Sequence, residues 1–161
     1  MVVVGIDPGL TGAVAFIGRN SVKVFDLPTV DIPGNGMVKR RVHGPALHDI
    51  MLANCPPGEP IMVLIENVMQ SMGGQGSAAQ TQGSLMQTFG TVQCCIEILG
   101  VEPVLINSRK WKGFYKLDSE KKNSLARARQ LWPTLKEIAR AKDHNRAESL
   151  LIAQYGLQNL T

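Results

Sequence analysis

The sequence predicts a layered α/β (or α+β) domain organised on five strands, and three observations carry that expectation. Two apolar runs, VVVGI at residues 2–6 and IMVLI at residues 61–65, are continuous and rich in β-branched side chains, which marks strands buried on both faces. Such strands need a neighbour on each side and helices above or below, and segments of helical spacing follow both runs. Each run also ends close to a carboxylate, Asp7 after the first and Glu66 after the second.

In chain order, the first strand runs into Asp7-Pro8-Gly9, where Pro8-Gly9 supplies a turn and Gly12 loosens the start of a second strand over Ala13–Ile17. Residues 21–27, SVKVFDL, form a third strand in which Val22 and Val24 alternate with Lys23 and mark one buried face, and Pro28 closes it. Residues 28–41 read as a mobile loop, with Pro33, Gly34 and Gly36 leading to the basic triplet Lys39, Arg40 and Arg41. A first helix is expected over residues 42–54, on the spacing of Ala46, Leu47, Ile50, Met51 and Leu52, and the Pro- and Gly-rich residues 55–60 end it. After the strand at residues 61–65, Gly73, Gly74 and Gly76 make residues 69–76 flexible by composition. Leu85, Phe89, Val92, Ile96 and Leu99 then recur at alternating spacings of four and three, an apolar helical stripe ending at a Gly100 cap. Residues 101–106 form a last strand, with Pro103 suggesting an edge or an early position in it. Ser119-Glu120-Lys121 starts a helix that Leu125, Ala128 and Leu131 continue to Trp132-Pro133, and a terminal helix led in by residues 141–148 is expected to end near Gly156.

A chain of 161 residues fits one domain, residues 1–161, able to bury about two-thirds of its unfolded surface. Cys55, Cys94 and Cys95 are odd in number and two are adjacent, which suits neither a disulfide framework nor a zinc spacing, so they read as core fillers in a reducing compartment. The apolar start is broken by Asp7-Pro8-Gly9 and does not resemble a signal peptide, and no run approaches the ~20 apolar residues of a membrane span, so an intracellular soluble protein is expected. The net charge of +4 is modest but unevenly spread, with eight of the seventeen basic residues lying between Arg109 and Arg129 alongside Trp111, Phe114 and Tyr115. Basic side chains interleaved with aromatics suit a polyanion with stackable bases; the other reading is a solvated helix face over core aromatics.

Acids thus stand at the ends of the first and fourth strands, and Glu148 stands on the last helix. Asp7 alone also reads as a turn aspartate that caps its own backbone, and Glu66 as a strand-end acid with a basic partner. Together the acids suit divalent ions. Phosphodiester hydrolysis needs a nucleophilic water and a stabilised leaving oxygen, and two Mg²⁺ ions roughly 4 Å apart provide both. Mg²⁺ takes hard oxygen ligands, so Asp and Glu are the right residue types.

The motifs GIDPGLTGA around Asp7, LIENV around Glu66, SEK at residues 119–121 and RAESLLIA around Glu148 resemble, in the same order over nearly the whole chain, the RuvC-type Holliday junction resolvases of the RNase H-like superfamily, and most closely their phage-type members. The first motif alone is weak, since sugar kinases and heat-shock ATPases share a similar turn. The resemblance implies an RNase H-like fold with a mixed five-stranded sheet flanked by helices. It implies a metal-dependent, structure-selective endonuclease that nicks four-way DNA junctions with two Mg²⁺ (or Mn²⁺) ions per active site. Asp7 and Glu66 would be metal ligands, with Asp7 bridging both ions, and Glu148 stands where the family has its last acid. Three residues before Glu148, where the family commonly has an acid or a histidine, this chain has Asn145, which keeps an amide oxygen but has lost the charge. Asp143 is a rival ligand and His144 a candidate general base. Lys121 would meet the phosphate or the developing charge. Met69 falls where relatives often carry an aromatic that stacks on an unpaired base, and Lys39, Arg40, Arg41, Arg109, Lys110 and Lys112 would contact phosphates. Junction resolution further implies a homodimer, since paired nicks need two sites, with the helix at about residues 80–99 as its seam, although the stripe taken alone reads as ordinary core packing. The resemblance also implies a cytoplasmic setting in a bacterial or phage-infected cell. The alternatives are an RNase H-like nuclease for other branched or hybrid substrates, a non-catalytic DNA-binding module, and an actin-like ATPase, whose two lobes 161 residues cannot supply.

Overall fold

A computed structural model describes residues 1–33, 39–68 and 79–161 of the chain. The expected glycine-rich stretch at residues 69–76, Met69 with it, and Gly34 and Gly36 lie outside the described residues. The elements in order are β1 (Val2–Asp7), β2 (Ala13–Ile17), β3 (Val22–Asp26), β4 (Thr29–Ile32), β5 (Lys39–Val42), α1 (Gly44–Asn54), β6 (Ile61–Glu66), α2 (Ala79–Ile98), β7 (Val104–Ile106), α3 (Ser108–Phe114), α4 (Lys121–Leu131), a single 3-10 turn at Lys136–Ile138, and α5 (His144–Asn159).

Five strands form one mixed sheet in the order β3-β2-β1-β6-β7. The hairpin connections make β1–β2 and β2–β3 antiparallel, while the crossover through α1 makes β1–β6 parallel and that through α2 makes β6–β7 parallel. The two apolar runs are therefore the adjacent central strands β1 and β6, and their lack of alternation follows from cover on both faces. Alternate residues divide between two cores. Val2, Val4, Ile6, Val63 and Ile65 pack with Leu47 and Met51 of α1 and with Phe89, Val92 and Ile96 of α2. Val3 and Leu64 face the other way, onto Trp111 of α3, Leu125 and Ala128 of α4, and Leu150, Leu151 and Ala153 of α5.

Helix α5 is buried nearly all round, because the sheet holds one side of it and α3 and α4 the other. It lies unusually close to β1: a Cβ on Gly5 would stand 2.2 Å from the Ser149 carbonyl oxygen and 2.4 Å from the Ala153 nitrogen. Gly156, expected to end this helix, instead continues it, and a Cβ there would stand 2.5 Å from Leu64. It is a glycine for close packing rather than for termination.

Two further expectations are corrected. Residues 28–41 are not one loop, because β4 and β5 pair as a separate antiparallel ribbon in which Asp31 lies opposite Arg40. Pro28 and Pro33 bracket a four-residue strand instead of excluding one, and the Arg40–Asp31 ion pair at 3.4 Å and a hydrogen bond from Arg40 to Thr29 Oγ1 tie the two strands together. Among the cysteines, Cys55 and Cys95 are buried fillers, but Cys94 is exposed. It is one helical step off the stripe that buries Val92 and Ile96.

Candidate functional site

Strand parity decides where the acids go. Asp7 has the parity of Val3 and Gly5, and Glu66 that of Leu64, so both carboxylates project toward the face that α5 covers. The parallel register pairs Ile6 with Ile65, which sets Asp7 and Glu66 level at the C-terminal ends of neighbouring strands. The close approach of α5 at Gly5 then delivers Glu148, one residue before the Ser149 that touches Gly5. The turn after Asp7 is equally tight: Gly12 N–H donates to the Gly9 carbonyl at 2.8 Å, and a Cβ on Gly12 would stand 2.0 Å from the Asp7 carbonyl oxygen.

The three acids act on one another. Burial pushes the Asp7 carboxyl up to about 7, and the charges of Glu66 and Glu148 push in the same direction, against the Lys121 ammonium and the Gly9 N–H. Glu66 is raised as well, chiefly by burial and further by Glu148, with the Trp111 hydrogen bond and the charges of Lys112 and Lys121 opposing. Burial and the neighbouring carboxylates thus both disfavour charge on Asp7 and Glu66, which nearby positive charge would offset.

Lys112 of α3 and Lys121 of α4 supply that charge, and neutral donors brace the carboxylates. Trp111, fully buried on α3, donates from Nε1 to Glu66 Oε2 at 2.9 Å. Its neighbour Lys112 sets Nζ 3.0 Å from Glu148 Oε1, and Ser124 Oγ of α4 donates to the same oxygen at 3.1 Å. Lys121, the first residue of α4, donates to Asn145 Oδ1 at 3.3 Å. Asn145 in turn donates from Nδ2 to the Thr11 carbonyl at 2.5 Å and to Thr11 Oγ1 at 3.1 Å, which ties the start of α5 to the β1–β2 turn.

The remaining candidates are placed as follows. Asp143 is held away from the cluster by arginines: Arg140 binds both its carboxylate oxygens and donates its backbone N–H to one of them, and Arg146 stands 3.9 Å away. That arginine pair holds its carboxyl below the usual range against the effect of burial, and Asp143 is not among the charges acting on Asp7 or Glu66. His144 is the half-buried first residue of α5. Arg109 and Lys110 are exposed on α3, while Trp111 and Tyr115 are buried, so these two aromatics are core residues rather than a base-stacking platform. Arg40 and Arg41 are exposed on β5, where Lys39 opens the strand. Lys112, expected on the outside as a phosphate contact, reaches inward to Glu148.

Sequence reasoning overlooked Ser124, Trp111 and Thr11 as partners of the site. Ser124 had a signal: it lies three residues after Lys121 and one before Leu125, a small polar residue on the buried face of α4.

Asp7, Glu66, Glu148 and the Asn145 amide offer oxygen donors only, and mutual repulsion among buried carboxylates is what a hard divalent cation relieves, so the donor set fits such an ion. Among the described residues no group of three His, Cys, Asp or Glu is drawn together at ligating distance; lysine ammoniums stand against the acids instead. No helix among them is long and apolar enough to cross a membrane.

No family model matches this chain, and no curated protein matches it. Solved structures do. The chain is similar to Thermus thermophilus RuvC in complex with Holliday junction substrate, with a TM-score of 0.61 and 17% identity over 99% of this chain and 96% of that one. It is also similar to a second Thermus thermophilus RuvC structure, with a TM-score of 0.58 and 20% identity over 98% and 96%. The likeness shows a RuvC-like fold: a mixed five-stranded sheet with flanking helices, of the RNase H-like kind.

Proposed function

We propose that residues 1–161 form a nuclease domain that resolves four-way DNA junctions by metal-dependent hydrolysis of phosphodiesters. The observation that carries this reading is the convergence of Asp7, Glu66 and Glu148, from two parallel strand ends and one helix, into a single electrostatically coupled cluster. The substrate class comes from the fold, which this chain shares over nearly its full length with a RuvC bound to a Holliday junction.

In this reading Asp7, Glu66 and Glu148 hold two Mg²⁺ or Mn²⁺ ions, with the Asn145 oxygen as a fourth, uncharged donor. The bound ions supply an activated water and stabilise the leaving oxygen. The chain's own residues do the positioning. Trp111 fixes the Glu66 carboxylate and Ser124 that of Glu148, while Lys121, at the site edge, is placed to meet a scissile phosphate. Position 145 is favoured over Asp143 as the fourth site residue, because both oxygens of Asp143 are engaged by Arg140. His144 retains the role of candidate base. Exposed Arg40, Arg41, Arg109 and Lys110, together with Lys39, would contact phosphates without reading sequence. Paired nicks require two such sites, so the working form is a homodimer. A groove of about 600 Å³ between α1 and α2, lined by Gly44, His48, Gly90, Thr91, Cys94 and Ile98, supports α2 as the seam. One observation favours a module that binds junctions without cutting: Asn145 stands where a further charged ligand would strengthen the cluster.

The test is nicking of a synthetic four-way junction in Mg²⁺ or Mn²⁺ beside a linear duplex of the same sequence. The expected result is paired nicks in the junction and an intact duplex. Equal cutting of both would reject junction selectivity, and tight binding without cutting in either metal would favour the non-catalytic module.

A further inference from the structure

Helix α3 sends two consecutive side chains into the acidic cluster, each to a different acid. Trp111 donates to Glu66 and Lys112 reaches Glu148. The lysine is not a surface ammonium that happens to lie near an acid: its side chain is 19% exposed and that of Glu148 is 8% exposed, at an Nζ to Oε1 distance of 3.0 Å. It also lies 5.1 Å from the centroid of the Trp111 ring, so the indole that braces Glu66 also flanks the Lys112 ammonium. Its charge acts on Glu66 as well as on Glu148. One ammonium thus serves two of the three carboxylates from inside the cluster, whereas Arg109 and Lys110 on the same helix remain outside.

A cation so placed competes with any other cation for Glu148. A buried carboxylate left without a partner is costly, so the lysine stabilises the cluster when no ion is bound, but the same contact must be given up before Glu148 can ligate an ion. We propose that Lys112 is a displaceable internal counter-ion: it occupies Glu148 in the ion-free protein and is expelled when a divalent cation enters. The inference rests on the divalent-ion reading of this cluster given under the proposed function. Linkage then fixes the sign of the coupling, since whatever strengthens the Lys112–Glu148 contact weakens ion binding by the same factor.

The test is calorimetric titration of the ion-free protein, residues 1–161, with Mn²⁺, without DNA, for the wild type, Lys112→Met and Lys112→Arg, with the thermal midpoint of each measured in chelator. Lys112→Met, which keeps the unbranched apolar stem and removes the charged end, is expected to bind Mn²⁺ about fivefold tighter or more while unfolding at a lower temperature in chelator. Lys112→Arg keeps the charge and is expected to bind Mn²⁺ no tighter than the wild type, so it carries the test should the Met variant fold poorly. Unchanged or weaker Mn²⁺ binding by Lys112→Met, or tighter binding by Lys112→Arg, overturns the inference and leaves the metal reading standing. Absence of Mn²⁺ binding by all three proteins defeats the metal reading itself, and this inference with it.

Discussion

The two faces of the central sheet are made by alternate residues of the same strands, yet they are built differently. On one face α5 approaches to backbone contact at Gly5, seals Leu150, Leu151, Ile152 and Ala153 from solvent, and brings Glu148 to Asp7 and Glu66. On the other, α1 and α2 cover the sheet with Leu47, Met51, Phe89 and Val92 but leave a groove between them, with Ile98 67% exposed at its edge. The close-packed face holds charge in a fixed place, as the proposed phosphodiester chemistry would require, and the looser face leaves apolar surface that a second copy could cover.

A glycine on each face tests this contrast, and the close-packed one has the largest expected effect. Gly5→Ala puts a methyl group within 2.4 Å of two backbone atoms of α5, which no rotamer relieves. It is expected to cost about 3 kcal/mol or more, measured by urea unfolding, and to push Glu148 out of the cluster. A loss below about 1 kcal/mol would mean that α5 is not held at that distance.

Next in size is the pH dependence. An ordinary aspartate gives up its proton near 3.8, and folded Asp7 keeps its proton up to about 7. The folded state therefore binds more protons across that interval, so the contribution of Asp7 to stability is fully present below the unfolded value and is lost as pH rises to about 7, with Glu66 acting in the same direction. The thermal midpoint in chelator should carry this downward contribution between about pH 4 and about pH 7, and Asp7→Asn should remove most of it. A variant with the same slope as the wild type would place the titration elsewhere.

Asn145→Asp is expected to have a smaller effect, with opposite signs in two measurements. The carboxylate keeps and strengthens the Lys121 contact but loses the N–H that the Thr11 carbonyl accepts at 2.5 Å, so stability in chelator should fall by about 1–2 kcal/mol. The added charge should make the gain in stability with Mg²⁺ larger than in the wild type and cutting faster. A loss of stability with no gain in either would make Asn145 a tie to the β1–β2 turn and nothing more. The smallest effect belongs to Gly90→Ala on the open face, where nothing lies within 4 Å of the added methyl. It should stabilise the monomer by about 0.5–1 kcal/mol, and any weakening of self-association measured alongside would assign the groove to the dimer seam.

Much of this contrast was legible in the sequence. The apolar runs at residues 2–6 and 61–65 are the central parallel pair β1 and β6, and the stripe through Phe89, Val92 and Ile96 is the buried side of α2, because period and β-branching report burial directly. Asp7 and Glu66 stand visibly at the ends of those runs, whereas the choice of Glu148 and position 145 came from the resemblance of the last motif to a known family. What stayed hidden depends on direction. Whether Trp111 turns inward to Glu66, and Lys112 with it, depends on the rotation of a seven-residue helix, too short to show a periodicity, so a basic-aromatic segment looked like a surface. Gly156 looked like a helix end because glycine serves both close packing and termination, and only the position of Leu64 separates the two. Asp143 looked available because its engagement by Arg140 and Arg146 comes from the fold of residues 140–146.

The most direct test of the central claim is the rate at which Asp7→Asn nicks a four-way junction in Mg²⁺, compared with the wild type at equal junction binding. If Asp7, Glu66 and Glu148 form a divalent-ion nuclease centre, the substitution keeps the shape and the turn, keeps binding, and lowers the rate by about a thousandfold or more, a loss of roughly 4 kcal/mol of transition-state stabilisation. Nicking by Asp7→Asn within about threefold of the wild type would contradict it.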